Sequence, residues 1–190
     1  MLILIAGLLL FLGAHSVRVF ADDFRTRQIA RLGLKTWKGL YALVSLLGLI
    51  LIVVGYGAAR QHPVLLWMPP VALRHVAIFL TLPAFILLAA ADVPRNVFKE
   101  KLGHPMLLGV KLWAFAHLLA NGMLADVVLF GGFLLWAILD FRSARRRQPA
   151  AAMGIVPTTS GTAMAIVAGL VVWALFAFYL HKWLIGVAPF

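Results

Sequence analysis

The residues of this sequence best equipped for chemistry are its six histidines, His15, His62, His75, His104, His117 and His181. His15, His75 and His117 fall inside long apolar runs, and His104 stands directly before the run that holds His117. Polar groups at such depth are expensive and mark functional sites by default. His62 and His181 lie near run ends, where a snorkelling or hydrogen-bonded imidazole is the expected role. The chain has no cysteine and only six acidic residues, Glu100 being its single glutamate. Disulfides, iron–sulfur clusters, thiolate zinc sites and a CxxCH haem attachment are therefore excluded. Calcium, magnesium and di-iron carboxylate sites would be short of oxygen ligands. Neutral imidazole, in contrast, suits iron or copper. Two histidines facing each other from different helices are what a b-type haem requires, and its apolar macrocycle suits a membrane interior.

The elements that must position these residues are membrane spans. The chain is 64% hydrophobic with a mean hydropathy of +1.01, against roughly 45–50% apolar residues in soluble domains, which excludes a water-soluble globule. Runs able to cross a hydrocarbon core of about 30 Å cover residues 2–20, 40–59, 71–91, 105–120, 125–139 and 163–187. The fold expected is an all-α polytopic bundle of about six transmembrane helices. Residues 1–147 are read as a five-helix core, 148–162 as a cytoplasmic linker carrying Pro149 and Pro157, and 163–190 as a sixth helix, the most loosely attached part. The fourth and fifth runs are short, as befits tilted partners of a hairpin closed at Asn121 and Gly122 or helices shielded by their neighbours. The first run is read as a retained helix rather than a signal peptide, because no Lys or Arg precedes it and five further runs follow.

The net charge of +11 follows topology and gives no nucleic-acid surface. Loops after the first, third and fifth runs carry twelve Lys and Arg, and the opposite side carries Arg60, Arg74 and Lys182. By the positive-inside rule both termini face away from the cytoplasm. Trp37 with Tyr41, Trp67, and Tyr179 with Trp183 fall at span ends, as interfacial anchors do.

On this topology His75 and His117 each lie roughly 6 Å inside the outer end of their spans at helical rise, so depth pairs them as metal ligands. His15 is nearer the cytoplasmic end, and His104 is at the cytoplasmic mouth. Arg18, one turn after His15, and Lys111, about 9 Å inside its span, are placed to neutralise haem propionates or an acidic ligand.

The most distinctive stretch, residues 103–122, opens with Gly103, His104, Pro105 and Met106 and carries Ala116 and His117 near its end. With Gly13, Ala14, His15 and Ser16, the pair Arg74 and His75, and the run from Ala84 to Leu88, it resembles the NnrU family of bacterial inner-membrane proteins over about residues 1–147. A weaker likeness extends to the 15-cis-zeta-carotene isomerases. The NnrU resemblance implies a multi-pass inner-membrane protein associated with nitric oxide and nitrite metabolism in denitrification. The isomerase likeness implies haem b held by two histidines, which correspond here to His15 and His117, and iron acting on a polyene. Those isomerases also carry a cysteine three residues before the second histidine as an alternative iron ligand; Ala114 occupies that position. Depth and resemblance thus name different partners for His117 and agree on His117 itself. The candidate site is His117, then His15 and His75, with His104, Arg18 and Lys111 as further cofactor-facing groups.

Two other classes compete. Residues 104–109 are similar to the element of membrane methyltransferases that bind S-adenosylmethionine, but Gly103 and Leu107 stand where that element has arginine and an aromatic, and no downstream glutamate pair follows. A non-catalytic accessory factor would dock on a membrane reductase, or on a second copy, through small residues such as Gly7, Gly13 and Ala14. Membrane lipids are the certain surroundings, and a hydrophobic small molecule is the substrate class the haem reading suggests.

Overall fold

The structure, a computed structural model, describes residues 1–148 and 154–189. The linker residues 149–153, Pro149 among them, lie outside the described residues. The elements are helices: α1 (Leu2–Phe20), α2 (Asp22–Leu32), α3 (Leu34–Ala59), α4 (Val71–Asp92), α5 (Val97–Leu102), α6 (Pro105–Ala120), α7 (Leu124–Arg147) and α8 (Thr159–Leu175). A π-helical turn (Phe176–Leu180) then leads into α9 (His181–Ile185). Five helices are long and apolar enough to cross a membrane, the last running from Thr159 to Ile185, and α6 is a shorter apolar helix. The chain is a multi-pass, all-helical membrane protein, and the six apolar runs of the sequence each correspond to one of these helices. The first inter-span loop, by contrast, is itself mostly helical: α2 buries none of its residues and holds Asp22 and Asp23 in its first turn, with Arg31 in its last, as the helix dipole favours.

The chain divides into two compact units. The first comprises Met1–Trp67 and Gly122–Trp136. Its α1 and α3 run antiparallel at very close approach: a Cβ on Gly7 would stand 2.6 Å from the Ile52 amide nitrogen, and one on Gly48 2.7 Å from that of Phe11. Lipid gives no hydrophobic drive between helices, so such small-residue contacts carry the packing. Gly7 thus serves the interior of this unit, whereas Gly13 has open space before it. The start of α7 is pinned by hydrogen bonds from Leu66 N–H to the Gly122 carbonyl and from Leu124 N–H to the Val64 carbonyl, each 2.8 Å.

The second unit comprises Met68–Asn121 and Ala137–Phe190. Here α4 packs against both α6 and α8. Gly109 lies against the Ala84 carbonyl, and Gly169 fits so tightly against Ile86 that a side chain there would collide with backbone. Three contacts tie α8, expected to be the most loosely attached helix, to its unit. Trp173 Nε1–H donates to Thr81 Oγ1 at 3.1 Å, Thr158 N–H donates to the Arg95 carbonyl at 2.7 Å, and Val97 N–H donates to Thr162 Oγ1 at 3.1 Å. The receiving loop is fixed by Asn96, fully buried, whose amide donates to the Ala90 and Val93 carbonyls and whose oxygen caps α5 at Lys99 N–H.

Candidate functional site

In the second unit His117 occupies the last turn of α6. Its Nδ1 lies 2.8 Å from the Trp113 carbonyl one turn back. A carbonyl can only accept, so Nδ1 carries the proton, and in the neutral ring Nε2 carries the lone pair. This is how metal-ligating histidines are commonly held, the second nitrogen tied to a carbonyl that fixes both tautomer and ring orientation. The Trp113 ring lies 5.0 Å from that of His117. Asn121 closes the helix end, its backbone and side-chain N–H groups both donating to the His117 carbonyl at 3.0 and 2.9 Å.

A second imidazole stands beside it. The His181 ring lies 6.4 Å from the His117 ring, centroid to centroid, with planes inclined by 24°. His181 Nδ1 donates to the Val187 carbonyl at 2.6 Å, so it too presents Nε2 as its lone-pair nitrogen. Gly186, at φ 79° and ψ 4°, turns the chain left-handed after α9 and carries the Val187 carbonyl back to the ring. The sequence reading placed His181 at a helix end as a hydrogen-bonded group. It is that, and it is also the imidazole the structure brings to His117.

His75 lies exposed on α4, with neither a hydrogen bond nor a ring contact among the described residues. His62 is exposed in the loop after α3. His104 precedes α6, and its Nε2 lies 3.0 Å from the Gln148 carbonyl, which gives it the opposite tautomer to His117. Its ring meets Phe141 edge-on at 6.4 Å. The same Phe141 ring receives Lys111 Nζ at 3.8 Å and Arg145 Cζ at 5.8 Å. The partner of Lys111 is thus an aromatic face, a pairing favourable to a cation in a desolvated setting.

In the first unit His15 repeats the backbone arrangement of His117: Nδ1 donates to the Phe11 carbonyl at 2.7 Å. Its surroundings differ. Phe11 stacks on it at 4.2 Å, Tyr41 approaches at 5.2 Å, and Trp136 meets it edge-on at 6.0 Å. The buried Trp136 Nε1–H has no hydrogen-bond partner among the described residues. Arg18 is exposed in the last turn of α1.

One polar cluster escaped the sequence reading altogether. Asp126, 5% exposed, accepts from Tyr56 Oη at 2.6 Å and from Met123 N–H at 3.1 Å. The second bond is one half of a capping box, an acidic residue in the first turn reaching back to the N–H before the helix. The pattern Met123 to Asp126 was readable as a helix start; the tyrosine seventy residues earlier was not.

No group of three or more potential metal ligands occurs among the described residues. A group held by one or two imidazoles does not depend on such a cluster. The arrangement defines a class: a polytopic helical membrane protein with half-buried, tautomer-fixed imidazoles on its apolar helices. The chain belongs to the NnrU protein family, whose model matches residues 3–189. That match extends past the first five spans to include α8 and α9. No curated protein and no solved structure matches it significantly.

Proposed function

We propose that this chain is a bacterial inner-membrane haem b protein acting in nitrogen-oxide metabolism, with His117 as the residue that holds the iron. The observation that carries the reading is the His117 Nδ1–H bond to the Trp113 carbonyl, which makes Nε2 the ligating nitrogen and orients the ring before any ligand arrives. Half-burial beside Trp113 suits an apolar macrocycle. His15, the second ligand by resemblance, has the same tautomer in the first unit. A bound haem would supply one-electron chemistry and an affinity for small nitrogen oxides at the iron. The chain's own part is to fix the imidazole, exclude bulk water and set the polarity around it. An isomerase-type ligand exchange is disfavoured, because Ala114, fully buried, stands where a thiolate would be needed and the chain has no cysteine. The orientation with both termini outside rests on the twelve-to-three distribution of Lys and Arg.

The test is the reduced-minus-oxidised spectrum of the full-length protein purified from haem-supplied cells. The expected result is a Soret band at stoichiometric level that His117→Ala abolishes and His62→Ala leaves intact. Absence of the band from the unmodified protein rejects the proposal.

A further inference from the structure

We propose that His117 and His181 are the two imidazoles that take the axial positions of one haem iron. This rests on the haem reading of His117 and replaces both partners the sequence suggested for it. Three observations converge on the pair. First, the rings stand 6.4 Å apart and are nearly parallel. Two imidazoles binding one metal ion from opposite sides through Nε2 at about 2 Å each have centroids roughly 6 Å apart, so the spacing leaves room for one shared ion.

Second, both tautomers are set from the backbone. The Trp113 and Val187 carbonyls each take an Nδ1 proton, so the pair presents two lone-pair nitrogens of the kind iron accepts. Third, the local backbone around His181 is unusual on both sides. The π-helical turn Phe176–Leu180 ends directly before it, and the left-handed Gly186 follows α9. A π turn inserts a residue into the helical ladder and turns everything after it by about 100° relative to a continuous α-helix. The turn thus sets the direction in which His181 projects, and such turns are frequent at functional sites.

The experiment uses full-length protein in detergent, read by visible spectra and electron paramagnetic resonance, with redox titration of the haem. The unmodified protein is expected to be six-coordinate and low-spin. In His181→Ala the Soret band persists while the ferric haem becomes high-spin. His181→Met returns a low-spin haem with a raised midpoint potential, because thioether ligation favours the ferrous state; a residue that merely packs would not give this rescue. His15→Ala and His75→Ala remain low-spin. Low-spin haem in His181→Ala, or a high-spin haem produced by His15→Ala or His75→Ala instead, overturns the pairing and leaves the haem reading standing. An unmodified protein without a Soret band overturns both.

Discussion

In the first unit, His15 is walled by carbon: Phe11 covers one face of the ring, and Tyr41 and Trp136 close around it. In the second, His117 has an aromatic neighbour in Trp113 but meets another nitrogen donor in His181. The backbone treatment is the same in both, an Nδ1–H donated to the carbonyl four residues back. The shared tautomer prepares either ring to ligate and does not separate them. What separates the two histidines is the chemistry of the neighbour. On the pairing proposed above, the imidazole enclosed by aromatic rings serves as packing, and the one set against a second imidazole of matching tautomer shares an ion.

The sharpest way to break this contrast is to remove each ring in turn. His117→Ala is expected to lower the haem-to-protein ratio at least tenfold. His15→Ala is expected to keep that ratio and to lower stability by about 1–3 kcal/mol, the usual range for opening a packed site. Haem absorbance per mole of protein, with the midpoint of a denaturation titration in detergent, reads both effects. Equal haem loss in the two variants would erase the distinction between the units.

A second test stays within the first unit and asks whether its polar contacts, like its histidine, serve structure. Tyr56→Phe leaves the Asp126 carboxyl with the Met123 N–H alone. Losing a buried partner costs about 1–3 kcal/mol, so the denaturation midpoint should fall while any Soret band is unchanged. Asp126→Ala should be worse, because it strands two donors instead of one acceptor. A haem spectrum altered by Tyr56→Phe would show that this cluster serves the cofactor.

The spans were legible in the sequence because twenty apolar residues in lipid have little choice but to be helical, every backbone group having to find its partner internally. Pro105 and the break at Asn121 even fixed the limits of α6. The polar helix α2 was not legible, since hydropathy carries no signal for a helix whose residues all remain unburied. Of the site, His117 stood out through its depth. His181 did not, because the turn of the ladder at Phe176–Leu180 shifts its direction in a way the α-helical period cannot foresee. The firm seating of α8 depends on Thr158 meeting Arg95 and Trp173 meeting Thr81, pairings separated by sixty to ninety residues that leave no local pattern.

That seating gives a third, smaller prediction, now in the second unit. Thr158 caps α8 at Gly161 N–H and donates to the Arg95 carbonyl. Thr158→Ala should cost about 1 kcal/mol. If α8 and its continuation carry His181 to the haem, the same variant should also show a minor high-spin component growing with temperature, which Tyr56→Phe in the first unit should lack.

The smallest expected effect separates two roles for Lys111. Its ammonium over the Phe141 ring is worth roughly 0.5–2 kcal/mol, and Lys111→Met keeps much of the stem's apolar packing, so the stability loss should lie at the low end of that range. As a partner of Phe141 alone, the lysine has no reason to influence iron, and the haem midpoint potential of Lys111→Met should match the unmodified protein. As a counter-charge to a propionate, it would favour the reduced haem less when removed, because the ferric-to-ferrous step adds an electron near a lost positive charge; the potential would then fall. The geometry at Phe141, shared with Arg145 and His104, supports the first outcome. A lowered potential would return Lys111 to the cofactor and extend the site toward the end of α6 where His104 sits.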